Sequence, residues 1–230
     1  MNNAPAIRSS PDFERVSAEL IERARSFPTT ILADVSGYSC TLNARVRALS
    51  PLMRVTGPAL TVEVRPGDNL MLHAALAIAR PGDVIIVDGK GNLDTALCGE
   101  IMALHAQATG VAGFVVDAAV RDSNELIHGT FPVFAAGTTP CGPSKVLSGR
   151  VNWPASVAGV TVRAGDLVVG DADGVVVIRR EDVPAVLERA QKKADAEALR
   201  KAAIRAGDVR PKWLNAALQS AGALAEGQTL

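Results

Sequence analysis

Aromatic side chains make up only 3% of this 230-residue chain, so its 48% hydrophobic content must form a core of valine, leucine, isoleucine and alanine. Cys40, Cys98 and Cys141 are odd in number and show no CxxC spacing, which supports neither a disulfide framework nor a zinc knuckle. Net charge is also missing: 24 basic and 24 acidic residues cancel, which argues against a broad nucleic-acid footprint. No apolar run approaches the roughly 20 residues that cross a bilayer. The opening stretch MNNAPAIRSSPDFERV lacks the apolar segment of a secretory leader. The expectation is a cytoplasmic protein with neither a membrane nor a nucleic-acid partner. No GxGxxG follows a strand, and Asp88-Gly89-Lys90-Gly91 lacks the spacing of a phosphate loop. Asp171-x-Asp173-Gly174 resembles a fragment of a calcium loop, but Val and Ile replace the later ligands, so it reads as a hairpin turn.

What is present is a βαβ alternation. Apolar residues at a helical period predict a helix over 12–27, and Pro28-Thr29-Thr30 opens a short second helix stopped by Gly37. β structure is expected over 53–64, interrupted at Gly57-Pro58. A helix over 70–79 carries His73. Short β-branched runs at 84–87 and 113–116 flank a helix over 100–109, and this strand–helix–strand order is parallel-sheet grammar. Another short strand is expected at 131–134 and a loop at 141–145. Strands at 160–162, 167–169 and 175–178 follow, then helices over 183–204 and 211–221. Arg-Pro-Gly-Asp at 65–68 and 80–83, and Arg-Ala-Gly-Asp at 163–166 and 205–208, are turn signals, and Asp68 or Asn69 can cap the next helix.

The run Gly110–Asp122, GVAGFVVDAAVRD, ends a buried strand with a guanidinium and a carboxylate, Arg121 and Asp122. Ligands of open α/β layers collect beyond the carboxyl ends of strands, so this pair is a candidate site. Taken alone it reads more simply as a surface ion pair. Gly99-Glu100-Ile101-Met102 stands where a helix begins, and its free N–H groups suit a substrate carboxylate resting on Gly99, Ile101 and Met102. With Glu100 near Asp122, two or three carboxylates would suit magnesium or manganese. A capped helix with a solvated Glu100 is the other reading. Cys98 with His73 or His105 would be the pieces of a thiol hydrolase, although a buried cysteine is more often a small hydrophobe.

The segments PGDNLMLHAAL, PGDVIIVDGKG, GEIMA, GVAGFVVDAAVRD, FPVFAAG, GRVNWP and GDLVVGDADGVVVI, in that order, resemble the RraA-like family. Within it they resemble the 4-hydroxy-4-methyl-2-oxoglutarate and 4-carboxy-4-hydroxy-2-oxoadipate aldolases. The resemblance runs from about Thr29 to the end and includes the signature GxxxDxxxRD at Gly113, Asp117, Arg121 and Asp122. It implies an α/β fold, an α-β-β-α sandwich over 1–180 with a helical extension over 181–230. It also implies a homotrimer or homohexamer with the site between subunits. By the same route Asp122 would hold a magnesium or manganese ion, Glu100 would bind it through water, and Glu197 would reach a neighbour's site. Arg121 would hold the substrate, with Asn69 and Lys145 around it.

The implied reaction cleaves a 4-hydroxy-2-oxo acid between C3 and C4, releasing pyruvate as its enolate. Oxaloacetate decarboxylation is the implied side activity, and catabolism of aromatic acids the implied setting. No lysine sits at an apolar strand position that would suit a Schiff base, which favours the metal route. The rival is a non-catalytic regulator that docks on a ribonuclease, as RraA-type relatives do. Such relatives are shorter, and the helical pattern after Ile178 favours the enzyme.

Overall fold

The computed structural model describes residues 13–37 and 40–230. Residues 1–12, including Asp12 at the start of the first expected helix, lie outside the described residues, as do Tyr38 and Ser39. In chain order the elements begin with helices α1 (Ala18–Arg25) and α2 (Thr29–Ser36) and strands β1 (Arg47–Ala48) and β2 (Val55–Glu63). Then α3 (Leu70–Ile78), β3 (Val84–Ala96), α4 (Glu100–Ala108), β4 (Gly113–Val120), α5 (Ser123–His128) and β5 (Val133–Thr138) alternate. Five short strands follow: β6 (Arg150–Val151), β7 (Ala155–Val157), β8 (Val160–Val162), β9 (Leu167–Asp171) and β10 (Gly174–Ile178). Helices α6 (Val183–Arg205) and α7 (Leu214–Ser220) end the chain.

Strands β2, β3, β4 and β5 are parallel neighbours in that order, as the strand–helix–strand grammar requires. Antiparallel strands extend the sheet on both sides, β1 beside β5 and the β9–β10 hairpin beside β2. Side chains alternate across it. Ile85, Val87, Phe114 and Val116 face Leu72 and Leu76 of α3 and Ala103 and Ala106 of α4. Val84, Ile86 and Val115 face the other way, onto Val157, Val162, Val175 and Val177. Both faces are buried, so these strands read as continuous apolar runs. With α2 packed on β9 and β10, the α/β architecture is that of an α-β-β-α sandwich.

Several expected boundaries differ, each for a local reason. Helix α1 starts after Ser17, whose Oγ accepts the N–H of Leu20 at 3.4 Å, and Phe13 and Val16 precede it. Gly57-Pro58 does not interrupt β2. It marks a change of partner, since Val55–Pro58 pair with β9 and Ala59–Glu63 with β3. The glycine is needed there because a Cβ would stand 2.2 Å from the carbonyl oxygen of Gly82. Strand β3 runs far past Val87. Lys90 and Gly91 adopt positive φ (60° and 67°), forming a bulge that lets the strand rejoin β4 at Asn92. Helix α5 escaped the sequence reading because a six-residue helix shows too little period.

The chain divides into two compact units, Met1–Ala190 and Gln191–Leu230, so the division falls inside α6 and not at its start. Val183, Val186, Leu187 and Ala190 of α6 are buried. The second unit holds the rest of α6 and α7. No helix among the described residues is long and apolar enough to cross a membrane.

One buried ion pair joins β4 to the opposite layer. Arg45 donates from Nε and a terminal nitrogen to Asp117 at 2.7 and 2.8 Å, and the N–H of Ala158 donates to the same carboxylate at 2.9 Å. The Asp117 side chain is 2% exposed and that of Arg45 45%. Asp117 lies where the β4–β5 register shifts, so the signature aspartate is structural. Arg45→Ala would leave this carboxylate buried with the Ala158 N–H alone. The expected cost is about 2–3 kcal/mol, below the value for a fully buried pair because the guanidinium is half in water. Urea unfolding should show a lower midpoint at unchanged slope; an unchanged midpoint would remove this role.

Candidate functional site

The site is assembled where β3 and β4 end side by side. The ladder continues one step past β3: Leu97 N–H donates to the Ala119 carbonyl and Arg121 N–H to the Cys98 carbonyl, both at 2.9 Å. Gly99 is thereby set against Arg121-Asp122, at the head of α4. Asp122 has left-handed backbone (φ 57°, ψ 41°), uncommon for a residue with a side chain. Its Oδ2 accepts the Glu100 N–H at 3.0 Å, so it caps α4 from a neighbouring strand. A Cβ on residue 99 would stand 2.3 Å from that Oδ2 and 2.9 Å from Arg121 Cγ. Only glycine leaves room. Arg121 Nε stands 3.8 Å from Asp122 Oδ2, with both side chains about two-fifths exposed.

A pocket of about 120 Å³ opens at this corner. Gly99, Ile101, Met102, Arg121 and Asp122 line it, joined by Asn69 and Lys145 from two other segments. Seven of the residues singled out from the sequence therefore meet around one hollow. His73, Cys98 and Pro143 line it too. Asn69 is 3% exposed and donates from Nδ2 to the Leu97 carbonyl at 2.8 Å, while its Oδ1 and the His73 Nε2 are buried without a partner. Burial, then the nearby Lys145 and His105, lower the His73 pKa from its ordinary value.

The α4 amides divide unequally. Glu100 N–H is taken by Asp122, and Met102 N–H turns back to the Gly99 carbonyl at 3.2 Å. The N–H groups of Gly99 and Ile101 are engaged in none of the hydrogen bonds of the described residues. They are the donors open to an anion.

Two expected participants stand apart. The Glu100 side chain is exposed and does not line the pocket. Glu197 belongs to the C-terminal unit, where it pairs with Lys193 and Lys201 of its own helix at 3.9 and 3.2 Å. Among the described residues no three His, Cys, Asp or Glu form a metal cluster. Asp122 nonetheless suits a hard cation: Oδ2 is fixed by an N–H, the carboxylate is partly in solvent, and water can fill the remaining positions of magnesium or manganese.

Other candidates resolve by their contacts. Lys90 is held by Asp88 at 2.5 Å and Glu63 at 3.3 Å, so the DGKG lysine is an ion-pair partner. Arg150, a further cation and the first residue of β6, lies over the Trp153 ring at 5.8 Å. Burial, with the charge of Asp122, pushes the Cys98 thiol up to about 12, so it stays protonated and is no nucleophile. A larger hollow of about 470 Å³, lined by Ser36, Cys40, Asp166, Arg179 and Arg189 among others, contains none of the expected residues. The smaller one concentrates open N–H donors, cations and a carboxylate.

Comparison with known proteins agrees with the fold. Residues 19–177 match the family model described as RraA-like, Aldolase/RraA. A protein of Halalkalibacterium halodurans named "Putative 4-hydroxy-4-methyl-2-oxoglutarate aldolase" is 42% identical over 185 residues, 80% of this chain and 88% of that one. One of the same name from Halorhodospira halophila is 34% identical over 160 residues, 66% of this chain and 96% of the relative. Among solved structures, Streptomyces coelicolor RraAS2, described as an unusual member of the RNase ES inhibitor RraA protein family, superposes with a TM-score of 0.76. It is 28% identical, covering 82% of this chain and 98% of that one. The chain belongs to the RraA-like family.

Proposed function

We propose that the protein is a divalent-metal-dependent lyase that cleaves 4-hydroxy-4-methyl-2-oxoglutarate, 4-carboxy-4-hydroxy-2-oxoadipate, or both, releasing pyruvate. The observation that carries this reading is the corner itself. A carboxylate, a guanidinium and two open N–H donors surround a pocket small enough for a three-carbon acid, with a lysine also lining it. The aldolase names of relatives from two organisms support it.

In this reading the N–H groups of Gly99 and Ile101 receive the substrate carboxylate. Magnesium or manganese, held by Asp122 with Glu100 through water, would supply Lewis-acid polarisation of the 2-oxo group. Arg121 places a fixed positive charge beside the same oxygen. As the C3–C4 bond breaks, its electron pair moves into the C2–C3 bond and charge collects on that oxygen, where one such donor is worth about 3–4 kcal/mol. The C4 hydroxyl proton passes to a carboxylate through water, for which Glu100 at the head of α4 is the candidate. Protonation at C3 then gives pyruvate; the other half leaves as pyruvate or oxaloacetate. Loss of CO2 from oxaloacetate yields the same enolate, so that decarboxylation is a side activity. The second substrate carboxylate needs a cation, and Lys145 is the lysine on the pocket. The assembly in this proposal is a homotrimer or homohexamer in which Glu197 completes a neighbour's site, and the setting is aromatic-acid catabolism.

The likeness to RraAS2 supports a second reading, a ribonuclease-binding module. Pyruvate release from 4-hydroxy-4-methyl-2-oxoglutarate, followed by a coupled assay, separates the two. Release should stop in chelator and return with Mg²⁺ or Mn²⁺; full activity in chelator would end the metal proposal, and no activity with metal would favour the binding module. Arg121→Lys should lose about 100-fold or more in kcat, since a point charge does not replace a planar fork. Gly99→Ala should lose most activity at near-parental thermal stability, because its Cβ displaces the Asp122 carboxylate and not the core; parental turnover would show that the Asp122–Glu100 contact is dispensable.

A further inference from the structure

Asp68 is a nearly buried carboxylate, 1% exposed, in none of the ion pairs of the described residues. It belongs to the Arg-x-Gly-Asp refrain but uses its side chain differently from two other copies. In two other copies the aspartate closes its own turn, Asp83 accepting the Arg80 N–H at 2.9 Å and Asp166 the Arg163 N–H at 2.8 Å. Asp68 sits in the same backbone turn, with its N–H on the Arg65 carbonyl at 3.0 Å, yet its side chain points its bonds elsewhere. Oδ1 accepts the Leu70 N–H at 2.9 Å. Oδ2 accepts the Ser144 hydroxyl at 2.6 Å and the N–H groups of Val146 and Leu147 at 2.7 and 3.1 Å.

Those three donors bracket Lys145. The stretch 139–149 between β5 and β6 holds no helix or strand beyond an isolated bridge, and most of it is exposed. Backbone bonds from Ser144 N–H to the Gly67 carbonyl (2.8 Å) and from Asn69 N–H to the Ser144 carbonyl (3.0 Å) tie it to the same turn. Residues on both sides of Lys145 are thus fastened to one oxygen, and its backbone cannot shift without breaking a charge-assisted bond. Asp68 itself does not line the pocket; Lys145 does.

We infer that Asp68 is a positioning residue for the reaction proposed above, acting through Lys145. It latches the 144–147 segment so that the ammonium stands over the pocket to bind the second carboxylate of a dicarboxylic 2-oxo acid. The inference rests on the aldolase reading. Burial works to raise the Asp68 carboxyl, but the Ser144 hydroxyl and the backbone N–H groups outweigh it and hold it at about 2, so the latch stays charged at neutral pH.

The test uses two reactions that differ in the second carboxylate. Cleavage of 4-hydroxy-4-methyl-2-oxoglutarate needs it bound, whereas exchange of the pyruvate methyl protons in D2O, read by NMR, involves a substrate without it. Asp68→Asn keeps the shape but removes the charge and replaces one acceptor oxygen with an NH2 donor that faces N–H or O–H donors. It should lower kcat/KM for cleavage by about tenfold or more, chiefly through KM, and leave pyruvate exchange within about threefold. Asp68→Asn in a Lys145→Ala background should add nothing, because the latch would have nothing left to place. Ser144→Ala, which removes one bond, should move the same way by less, and covers an Asp68→Asn chain that fails to fold. Trypsin should cut native Asp68→Asn after Lys145 faster than the parent. Parental cleavage kinetics in both variants, equal losses in cleavage and exchange, or additive effects with Lys145→Ala would each overturn the inference. A parent that cleaves nothing would instead sink the aldolase reading.

Discussion

The carboxylate of Asp122 rests on the first free N–H of α4 only because residue 99 has no side chain. That contact is electrostatically sound, a negative group at the positive end of a helix. It requires left-handed backbone at Asp122, which L-residues adopt at a cost. The surroundings over-determine it: the ladder runs on through Cys98 and Arg121, and Gly142 passes so close over the guanidinium that a Cβ there would stand 2.9 Å from it. Removing the contact would release the carboxylate from the Glu100 amide at the head of α4.

The sheet explains why this corner exists. Four parallel strands place their carboxyl ends along one edge, and each crossover helix starts there with unpaired N–H groups. Strand β4 is buried along its whole length and carries one charged residue, Asp117, paired with Arg45; Arg121 and Asp122 come only after it ends. Long bulged β3 carries the chain far enough along β4 for Gly99 to meet Asp122. The pocket is also lined by Asn69 and Lys145, which the turn at Gly67 brings together.

Much of this was legible in the sequence, for identifiable reasons. The runs at 84–87 and 113–116 are apolar on both faces, which only a doubly covered strand can use. Arg121-Asp122 stood out because charged residues end such a run, and Gly99 because it precedes a helix. Other features were invisible because they depend on distant partners. The bulge after Val87 needs positive φ at Lys90, which no pattern of residue types announces. Gly57-Pro58 looks like a break until the Gly82 carbonyl is seen against it. Asp68 reads as one turn aspartate among several, because the donors to its Oδ2 lie 76 to 79 residues away in sequence. Asp117 reads as a signature residue, and its Arg45 partner is 72 positions distant.

The central claim is that Asp122 anchors a divalent cation in this pocket. The most direct measurement follows the electron paramagnetic resonance signal of free Mn²⁺ as protein is added, in the presence of oxalate as a mimic of the enolate. The parent should remove free Mn²⁺ stoichiometrically, and Asp122→Asn should leave the signal nearly untouched while unfolding at a similar temperature. Equal uptake by the two proteins would contradict the account.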